Sequence, residues 1–302
     1  MSYHIVSIDS HECKISVCNY QLTVYDKDGK RQVPLEDVAC IIISSFKCSI
    51  SSNFLIEASK LSIGVIICDC YKPACVVLPV DRCTDTYLLR NIAKLTKLHK
   101  DKLWKKTVDA KCNNQLKLAE TWNKNHPLIH QMRNVAYSIK SHKEAECAKL
   151  FWRVFSDSFF DGDFKRNRGA NDSNVLLNYA YAILLSCVLR NLLALGVDPT
   201  FGIFHVSREH SAPLAYDLME PFRCVFEARV ALWIRNHQKE RQEISEYSVT
   251  KEYRSFILST LQEQIMYNGR EMSVKSAVEQ VIRSFRTAVI TLQTSLYEPW
   301  KM

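Results

Sequence analysis

The sequence is poor in glycine, with 7 among 302 residues. Rossmann-type and P-loop proteins bind phosphates with glycine-rich loops, and the chain shows no such loop. No apolar run reaches the roughly 18 residues that a membrane span needs. The polar N-terminus, with acidic residues early, does not have the pattern of a signal peptide. These shortages argue against a nucleotide-cradling fold and favour a cytoplasmic protein without membrane association.

Paired cysteine motifs are also missing. The 12 cysteines are scattered, and the one cluster, Cys68, Cys70 and Cys75, lacks the CxxC spacing of a zinc site. Without a signal peptide, buried reduced thiols are expected rather than disulfides. The sequence has no obvious Ser/His/Asp or Cys/His set either, so nothing in it indicates a protein nucleophile.

The charge that is present is unevenly distributed. The composition, 47% apolar and 24% charged, is that of a globular protein. Residues 1–82 carry 8 basic and 9 acidic side chains, a net charge of −1, whereas the remainder carries 32 basic and 23 acidic ones, a net charge of +9. The basic excess suggests a polyanionic partner for the second part, most simply nucleic acid.

The pattern of apolar residues predicts an α+β protein. A small β-rich N-terminal domain with one helix is expected over residues 1–82, as a scaffold or pairing module, and a larger all-α domain over residues 83–302. Strands are predicted at 4–9, 14–25, 38–43, 63–68 and 74–80, with the helix at 51–61. Helices are predicted at 86–122 (one long helix or a pair), 142–158, 174–195, 247–268 and 273–296.

Two basic stretches are candidates for contact with DNA. The first lies in the predicted helical region 86–122, and the second in the loop 161–174. Their candidate side chains are Lys94, Lys97, Lys105, Lys165, Arg166 and Arg168. Lysines spaced along a helix can follow a phosphate backbone, but a solvated helix face has the same appearance. The sequence leaves both interpretations open.

A histidine and two carboxylates form a candidate site near residue 210. His205 is predicted on a loop, and Asp217 and Glu220 are three residues apart, which places both on one helical face. Pro221 disfavours helical geometry at Glu220, so the helix should bend or stop there. Such a set suits Mn²⁺ or Mg²⁺. The alternative is a surface histidine beside a solvated acidic turn.

Three further polar residues have two interpretations each. Glu144 follows Ser141 by three residues, the spacing of a capping box, but it also shares a face with Ala148. A carboxylate on that apolar face would need a cation or a hydrogen-bond donor. Asn174 and Tyr179 are polar exceptions in the apolar helix 174–195, and they either form buried hydrogen bonds or line a site.

Four segments together resemble a known family. They are EAECAKLFW at 144–152, NVLLNYAYAILLS at 174–186, GIFH at 202–205 and DLMEPFR at 217–223. In this order they resemble the CRISPR-associated integrase, the spacer-acquisition enzyme of bacterial adaptive immunity. The last segment is most similar to the branch found beside the single-protein RNA-guided nuclease (type II). Ala145 and the pair Phe151-Trp152 depart from that pattern without removing a ligand.

The resemblance implies a site and an activity. Glu144, His205 and Glu220 would be the catalytic residues and would hold Mg²⁺ or Mn²⁺, with Asp217 as an accessory carboxylate. The activity would be metal-dependent insertion of short DNA fragments into a CRISPR array, in which a DNA 3′-hydroxyl attacks a phosphodiester. The alternatives are a non-catalytic nucleic-acid-binding subunit of a larger complex and a plain nuclease that uses water.

The resemblance also implies partners. These are double-stranded DNA (the spacer precursor and the CRISPR repeat), a second copy of the chain paired through the β-rich domain, and a small companion protein that joins two such dimers into a heterohexamer. The type II effector nuclease and an accessory adaptation protein would be further partners.

Overall fold

The structure is a computed structural model with two compact units. It describes residues 4–61, 63–69, 72–77, 86–139, 143–160, 162–167, 173–206, 212–237 and 249–302. One unit, here called the β-rich unit, comprises Met1–Lys94 and Leu189–Pro199, and the other, the helical unit, comprises Leu95–Val188 and Thr200–Met302. The boundary predicted between residues 82 and 83 lies outside the described residues and stays a prediction.

The β-rich unit contains two sheets and short helices. Its strands are β1 (His4–Ile8), β2 (Glu12–Cys18), β3 (Gln21–Asp26), β4 (Gly29–Pro34), β5 (Val38–Ile43), β6 (Lys47–Ile50), β7 (Gly64–Asp69) and β8 (Lys72–Val77), and its helices are α1 (Ser52–Lys60) and α2 (Thr86–Lys94). One sheet has the order β1-β5-β7-β8 and the other β4-β3-β2-β6. Apolar side chains of both sheets and of α1, such as Ile15, Ile41 and Phe54, form one core. The prediction of a β-rich start with a helix among the strands is confirmed.

The single strand predicted at 14–25 is instead a hairpin. Strands β2 and β3 pair antiparallel, from Cys18 opposite Gln21 to Cys13 opposite Asp26. The two residues between them, Asn19 and Tyr20, have φ of 51° and 60°. A two-residue turn with positive φ at both positions matches the twist of paired strands. The sequence carries no glycine there, which is why the apolar pattern reads as continuous.

The helical unit is built mainly from long helices. They are α3 (Lys97–Trp122), α4 (Leu128–Ala136), α5 (Lys143–Phe159), α7 (Pro213–Met219), α8 (Arg223–Asn236), α9 (Lys251–Ser259) and α10 (Val274–Thr291), together with strands β9 (Gln264–Tyr267) and β10 (Arg270–Ser273). Helix α6 (Ser173–Ala194) contributes residues to both units. The region 86–122 is a helix pair, because Thr96 interrupts it and caps α3 by accepting a hydrogen bond from the His99 backbone.

The prediction of an all-α second part is wrong at one place. Strands β9 and β10 form an antiparallel hairpin within the stretch read as helix 247–268 and the residues after it. Asn268 and Gly269 occupy its turn with φ of 48° and 76°. Asn-Gly is the preferred pair for a two-residue hairpin turn, so the sequence did contain the signal.

Helix α6 is apolar along most of its length. Polar residues such as Asn178 and Arg190 interrupt its apolar run, yet its 22 residues are long and apolar enough overall to cross a membrane. Of its most apolar 18 residues, 61% are buried inside the protein. A central core helix of a globular protein has both properties. The expectation of a buried helix therefore agrees with its packing.

Candidate active site

Three separate segments of the helical unit bring the predicted carboxylates together. Glu144 is the second residue of α5, and Glu220 begins a 3-10 turn, Glu220–Phe222, between α7 and α8. The bend expected from Pro221 is therefore present. Lys111, in the middle of α3, places its Nζ 2.7 Å from Glu144 Oε1 and 2.6 Å from Glu220 Oε2. One buried ammonium thus joins the two carboxylates.

Glu220 is held as a carboxylate although it is almost completely buried. Its Oε1 lies 2.7 Å from Arg223 Nη2, and its Oε2 faces Lys111. Burial would raise its pKa, but the charges of Lys111 and Arg223 outweigh burial and hold the pKa of Glu220 below its ordinary value. Burial by itself would lower the pKa of Lys111, yet Glu220 and Glu144 hold it above the ordinary value. Glu220 and Lys111 are therefore both charged at neutral pH.

Glu144 reaches into this cluster. Its side chain is 28% exposed and accepts the Lys111 hydrogen bond. Of its two sequence interpretations, the inward-facing one is seen, because the expected cation is there to meet the carboxylate. Ser141, the proposed cap partner, lies outside the described residues.

Asp217 positions His205. It is fully buried, and its Oδ2 accepts the backbone N–H groups of Ile203 and Phe204, at 2.6 and 3.1 Å. Its Oδ1 accepts the His205 backbone N–H at 3.2 Å and the His205 Nδ1 at 2.7 Å. The hydrogen bond with Asp217 is the main reason that the pKa of His205 is raised. A carboxylate occupied by four donors orients the imidazole and leaves Nε2 for other contacts.

The loop before α7 fits this arrangement closely. A Cβ at Gly202 would collide with the His205 carbonyl oxygen and lie 2.9 Å from Pro213 Cβ. Trp104, on α3, stacks on Phe204 with a 4.4 Å centroid distance and meets His205 edge-on at 5.9 Å. The histidine is therefore clamped from one side by an aromatic pair and from the other by Asp217.

The turn that carries Glu220 is braced from behind. Asn114, one helical turn after Lys111 on α3, donates from Nδ2 to the carbonyl oxygens of Pro221 and Trp300, at 2.9 and 3.1 Å. Its Oδ1 accepts the Met302 backbone N–H at 2.7 Å. The Trp300 indole stacks on Phe222 at 5.5 Å. The last residues of the chain thereby fix the position of Glu220.

The remaining predicted residues lie in different settings. Asn174 is buried and, together with Asn178, accepts hydrogen bonds from the Arg166 guanidinium at 2.8 and 2.9 Å. Tyr179 is half-buried, with its ring 6.0 Å from that of Tyr253. The accessory role of Asn174 and Tyr179 stays a prediction.

The candidate DNA-binding lysines are mostly at the surface. Lys94, Lys97, Lys105 and Lys165 are exposed. Arg166 is half-buried and occupied by Asn174 and Asn178. Arg168 lies outside the described residues. Their contact with DNA stays a prediction.

Sequence reasoning missed three charged residues of the site: Lys111, Arg223 and Glu227. One feature of the sequence could have pointed to Lys111. It is the single charged residue in the stretch 110–116, within a helix whose other lysines lie elsewhere. Glu227, on α8, is likewise a single carboxylate among apolar residues, and it accepts a hydrogen bond from the Tyr181 hydroxyl at 2.6 Å. Which element a lone charge faces depends on tertiary packing, so the sequence alone does not identify these residues as part of a site.

The side chains present fit a divalent cation in their chemistry. Among the described residues no three His, Cys, Asp or Glu side chains converge as a ready cluster of metal ligands. The Lys111 ammonium lies between two carboxylates from different segments, 2.7 Å from Glu144 Oε1 and 2.6 Å from Glu220 Oε2, where a metal ion could take its place. Two carboxylates and an imidazole whose Nε2 is not engaged within the described residues are the donors that Mn²⁺ or Mg²⁺ would take.

Two relatives are similar over most of the chain. A protein from Neisseria meningitidis serogroup C (strain 8013), named CRISPR-associated endonuclease Cas1, is 27% identical over an alignment of 282 positions that covers 91% of this chain and 89% of the relative. A protein named CRISPR-associated endonuclease Cas1 1, from Francisella tularensis subsp. novicida (strain U112), is 26% identical over an alignment of 286 positions that covers 87% of this chain and 88% of the relative.

Solved structures share the fold. A casposase bound to integration product superposes with a TM-score of 0.74 at 19% identity and 99% coverage of both chains. A Cas1 protein from Thermotoga maritima gives 0.64 at 17% identity, covering 96% of this chain and 97% of its own. A chain of a partial Cas6-RT-Cas1–Cas2 complex gives a TM-score of 0.75 at 18% identity, covering 100% of this chain and 99% of that chain.

The family model for the CRISPR associated protein Cas1 matches residues 6–263, which include the four segments that carry the resemblance. The resemblance drawn from the sequence is thereby confirmed, and the chain belongs to the CRISPR-associated Cas1 family.

Proposed function

We propose that this protein is a metal-dependent DNA integrase of CRISPR adaptation, which joins short DNA fragments to a CRISPR array by attack of a DNA 3′-hydroxyl on a phosphodiester. The observation that carries the proposal is the meeting of Glu144 and Glu220 at one buried cation, in the same unit as an oriented histidine. Relatives named endonucleases support the reaction class.

The residues would divide the work as follows. Glu144, Glu220 and the Nε2 of His205 would hold Mg²⁺ or Mn²⁺, which supplies charge stabilisation to a phosphodiester under attack. Asp217 keeps the His205 ring in one orientation through Nδ1, so that Nε2 is the nitrogen presented. Arg223 keeps Glu220 ionised inside the protein, and Trp104 limits the movement of the ring of His205.

The basic surface would bind DNA without reading its sequence. Lys97 and Lys105 project from α3, the helix that carries Lys111, and Lys165 lies in the loop after α5. Exposed lysines bind phosphates as point charges and give affinity that falls with salt. Arg166 and Arg168 belong to the same proposed set, and Lys94, which lies in the β-rich unit, is a further proposed contact.

The proposed partners follow the relatives. The complex named above contains Cas1 and Cas2 chains, which supports a small companion protein for this chain as well. We propose that the β-rich unit pairs two copies and that two such dimers share the companion in a heterohexamer. The type II effector nuclease and an accessory adaptation protein are further proposed partners.

One observation favours a second candidate function, that of a non-catalytic nucleic-acid-binding subunit. Lys111 already forms ion pairs with both Glu144 and Glu220, an arrangement that is common in structural sites. In that case DNA binding would be salt-sensitive and independent of divalent metal, and no strand joining would occur.

The deciding experiment is a strand-transfer assay with purified protein, a short duplex with free 3′-hydroxyls and a supercoiled plasmid. It is run with Mn²⁺, with Mg²⁺ and with EDTA, beside the Glu220→Gln protein and the charge-matched Glu279→Gln control. We expect metal-dependent joining that is lost in the first variant and kept in the second. Binding without joining, also after addition of the companion protein, would favour the second function.

A further inference from the structure

A cavity of about 250 Å³ is lined in part by Lys111 and Arg223, the two cations that pair with Glu220. Its wall includes Lys111, Gln115, Glu227, Arg223, Trp152 and Tyr181. Lys111 thus belongs to two surroundings at once, since its ammonium contacts Glu144 and Glu220 while its side chain borders the cavity. Gln115 follows Lys111 by four residues on α3, which places both on the same helical face.

Two buried acceptors on this wall have no donor in the described structure. They are Oε1 of Gln115 and Oε2 of Glu227. The two residues are 3% and 1% exposed. Buried polar atoms are almost always hydrogen-bonded, so two orphan acceptors on one wall need a reason. Both are oxygens, and each therefore lacks a hydrogen-bond donor or a cation. Arg223 Nε, on a third residue of the wall, is a buried donor without an acceptor in the described structure.

We propose that Lys111 has two positions and that divalent metal selects between them. When a metal ion is bound by Glu144 and Glu220, the ammonium of Lys111 leaves the carboxylates and enters the cavity, where Gln115 Oε1 and Glu227 Oε2 accept it. Lys111 is thus a positioning residue that exchanges places with the metal. The inference rests on the proposed metal site.

Charge makes the exchange necessary. An ammonium and a divalent ion between the same two carboxylates repel one another at short range, in a setting where little water screens them. The displaced ammonium still has to remain paired, because an isolated buried charge is strongly disfavoured. The orphan oxygens of Gln115 and Glu227 provide that pairing without taking Lys111 to the surface.

The state of Glu227 agrees with this role. Burial raises its pKa to about 7, and the charge of Lys111 acts in the opposite direction even from its present position. A carboxyl group that is half-ionised at neutral pH becomes a full acceptor when a cation approaches. Tyr181 already donates to its other oxygen, so Oε2 is the one available to Lys111.

The test measures Mn²⁺ binding directly, by titration calorimetry and by the electron paramagnetic resonance signal of free Mn²⁺, without DNA. Gln115→Met and Glu227→Gln should each weaken binding about tenfold, the effect of one lost hydrogen bond to a charged group. Lys111→Met should tighten it, because no cation has to leave. In the Lys111→Met background, Glu227→Gln should have no further effect. Glu279→Gln, which removes the same charge elsewhere on the helical unit, should bind like the unchanged protein.

Three results would overturn the exchange. One is a loss of Mn²⁺ affinity on Glu227→Gln that is equally large in the unchanged protein and in Lys111→Met. Such a result would mean that the Glu227 carboxylate acts on the metal at a distance, without Lys111. Another is a Gln115→Met protein that binds Mn²⁺ as tightly as the unchanged protein. If the Lys111→Met protein does not fold, this measurement is sufficient to test the exchange. The third is no Mn²⁺ binding in the unchanged protein, which would remove the proposed metal site too. The unchanged protein can bind Mn²⁺ and lose that binding in Glu220→Gln while giving either of the first two results. In that case the exchange would be refuted and the proposed function would stand.

Discussion

The β-rich unit and the helical unit are filled by different kinds of side chain. The core of the first consists of residues such as Ile15, Ile41 and Val65, and Arg190 is the charged residue buried in its described part. The described part of the second buries five charged side chains: Lys111, Lys143, Asp217, Glu220 and Glu227. Buried charges are costly unless they are paired. Three of the five, Lys111, Asp217 and Glu220, lie at the candidate active site, so the helical unit keeps buried charges there in spite of their cost.

The largest effect should come from breaking the buried ion pairs. Glu220→Gln leaves Lys111 and Arg223 short of a counter-charge, and removing one partner of a buried pair costs about 3–5 kcal/mol. Ile15→Val in the β-rich unit should cost only about 0.5–1.5 kcal/mol. Chemical unfolding followed by circular dichroism checks both. Strand transfer by the Gln variant, where still folded, should fall at least about 100-fold.

Equal losses of stability in these two variants would contradict the contrast. Ile15→Val serves as the control for activity as well, because it should leave strand transfer unchanged.

The second prediction concerns Glu227 and pH. Its folded-state pKa is about 7 against an ordinary 4.5, so the folded protein holds the proton more tightly than the unfolded chain. The unchanged protein should therefore lose up to about 3 kcal/mol between pH 4.5 and 7 relative to Glu227→Gln, and nothing more above that range. Unfolding free energies at pH 5, 6, 7 and 8 test this. A difference between the two proteins that does not vary with pH would refute the raised pKa.

The third prediction concerns the loop that presents His205. Gly202→Ala places a methyl group against the His205 carbonyl and Pro213, and we expect a loss of about 1–3 kcal/mol from this overpacking. Strand transfer should fall as the ring loses its orientation, while DNA affinity stays the same. A suitable control is Gly196→Ala. At Gly196 the added methyl group meets no atom within 4 Å, but the residue has a φ of +68°, which is strained for alanine. This control therefore has backbone strain without a steric collision. Normal activity of Gly202→Ala would mean that the loop adapts.

The smallest effects should separate neighbouring lysines of α3. Lys105 is exposed, whereas Lys106 Nζ donates to the carbonyl oxygens of Ser295 and Tyr297, at 2.7 and 2.8 Å. Lys105→Ala should weaken DNA binding and reduce the slope against log salt by about 1, with stability unchanged. Lys106→Ala should cost about 1–2 kcal/mol of stability and leave the slope unchanged. Fluorescence anisotropy at several salt concentrations distinguishes them, and equal slopes for both variants would argue against the Lys105 contact.

How far the sequence predicts the structure also differs between the two units. The β-rich start followed by helices was predictable because strand and helix periods differ, and the bend at Glu220 because proline restricts the residue before it. The hairpin at Asn268-Gly269 was predictable from its turn pair but was read as helix from its apolar residues.

The site itself was predictable only in part. His205, Glu144 and Glu220 were identified through segments that resemble a family. Lys111 was not identified, because its place at the site depends on contacts with two residues of other segments. Glu144 is 33 residues away in the sequence, and Glu220 lies on a third segment. Helical periodicity reports which face of a helix is apolar, but not which charges of other elements lie opposite a residue.

The brace behind Glu220 has a consequence for the order in which the site forms during synthesis. Asn114 joins the carbonyl of Pro221 to that of Trp300, a residue 186 positions later in the chain. Helix α3 and the turn at Glu220 leave the ribosome long before residue 300, so for that time the turn lacks its support. A nascent chain that has made all three proposed metal ligands therefore still has an unbraced site. We expect the proposed activity to appear only after residues 300–302 have been made.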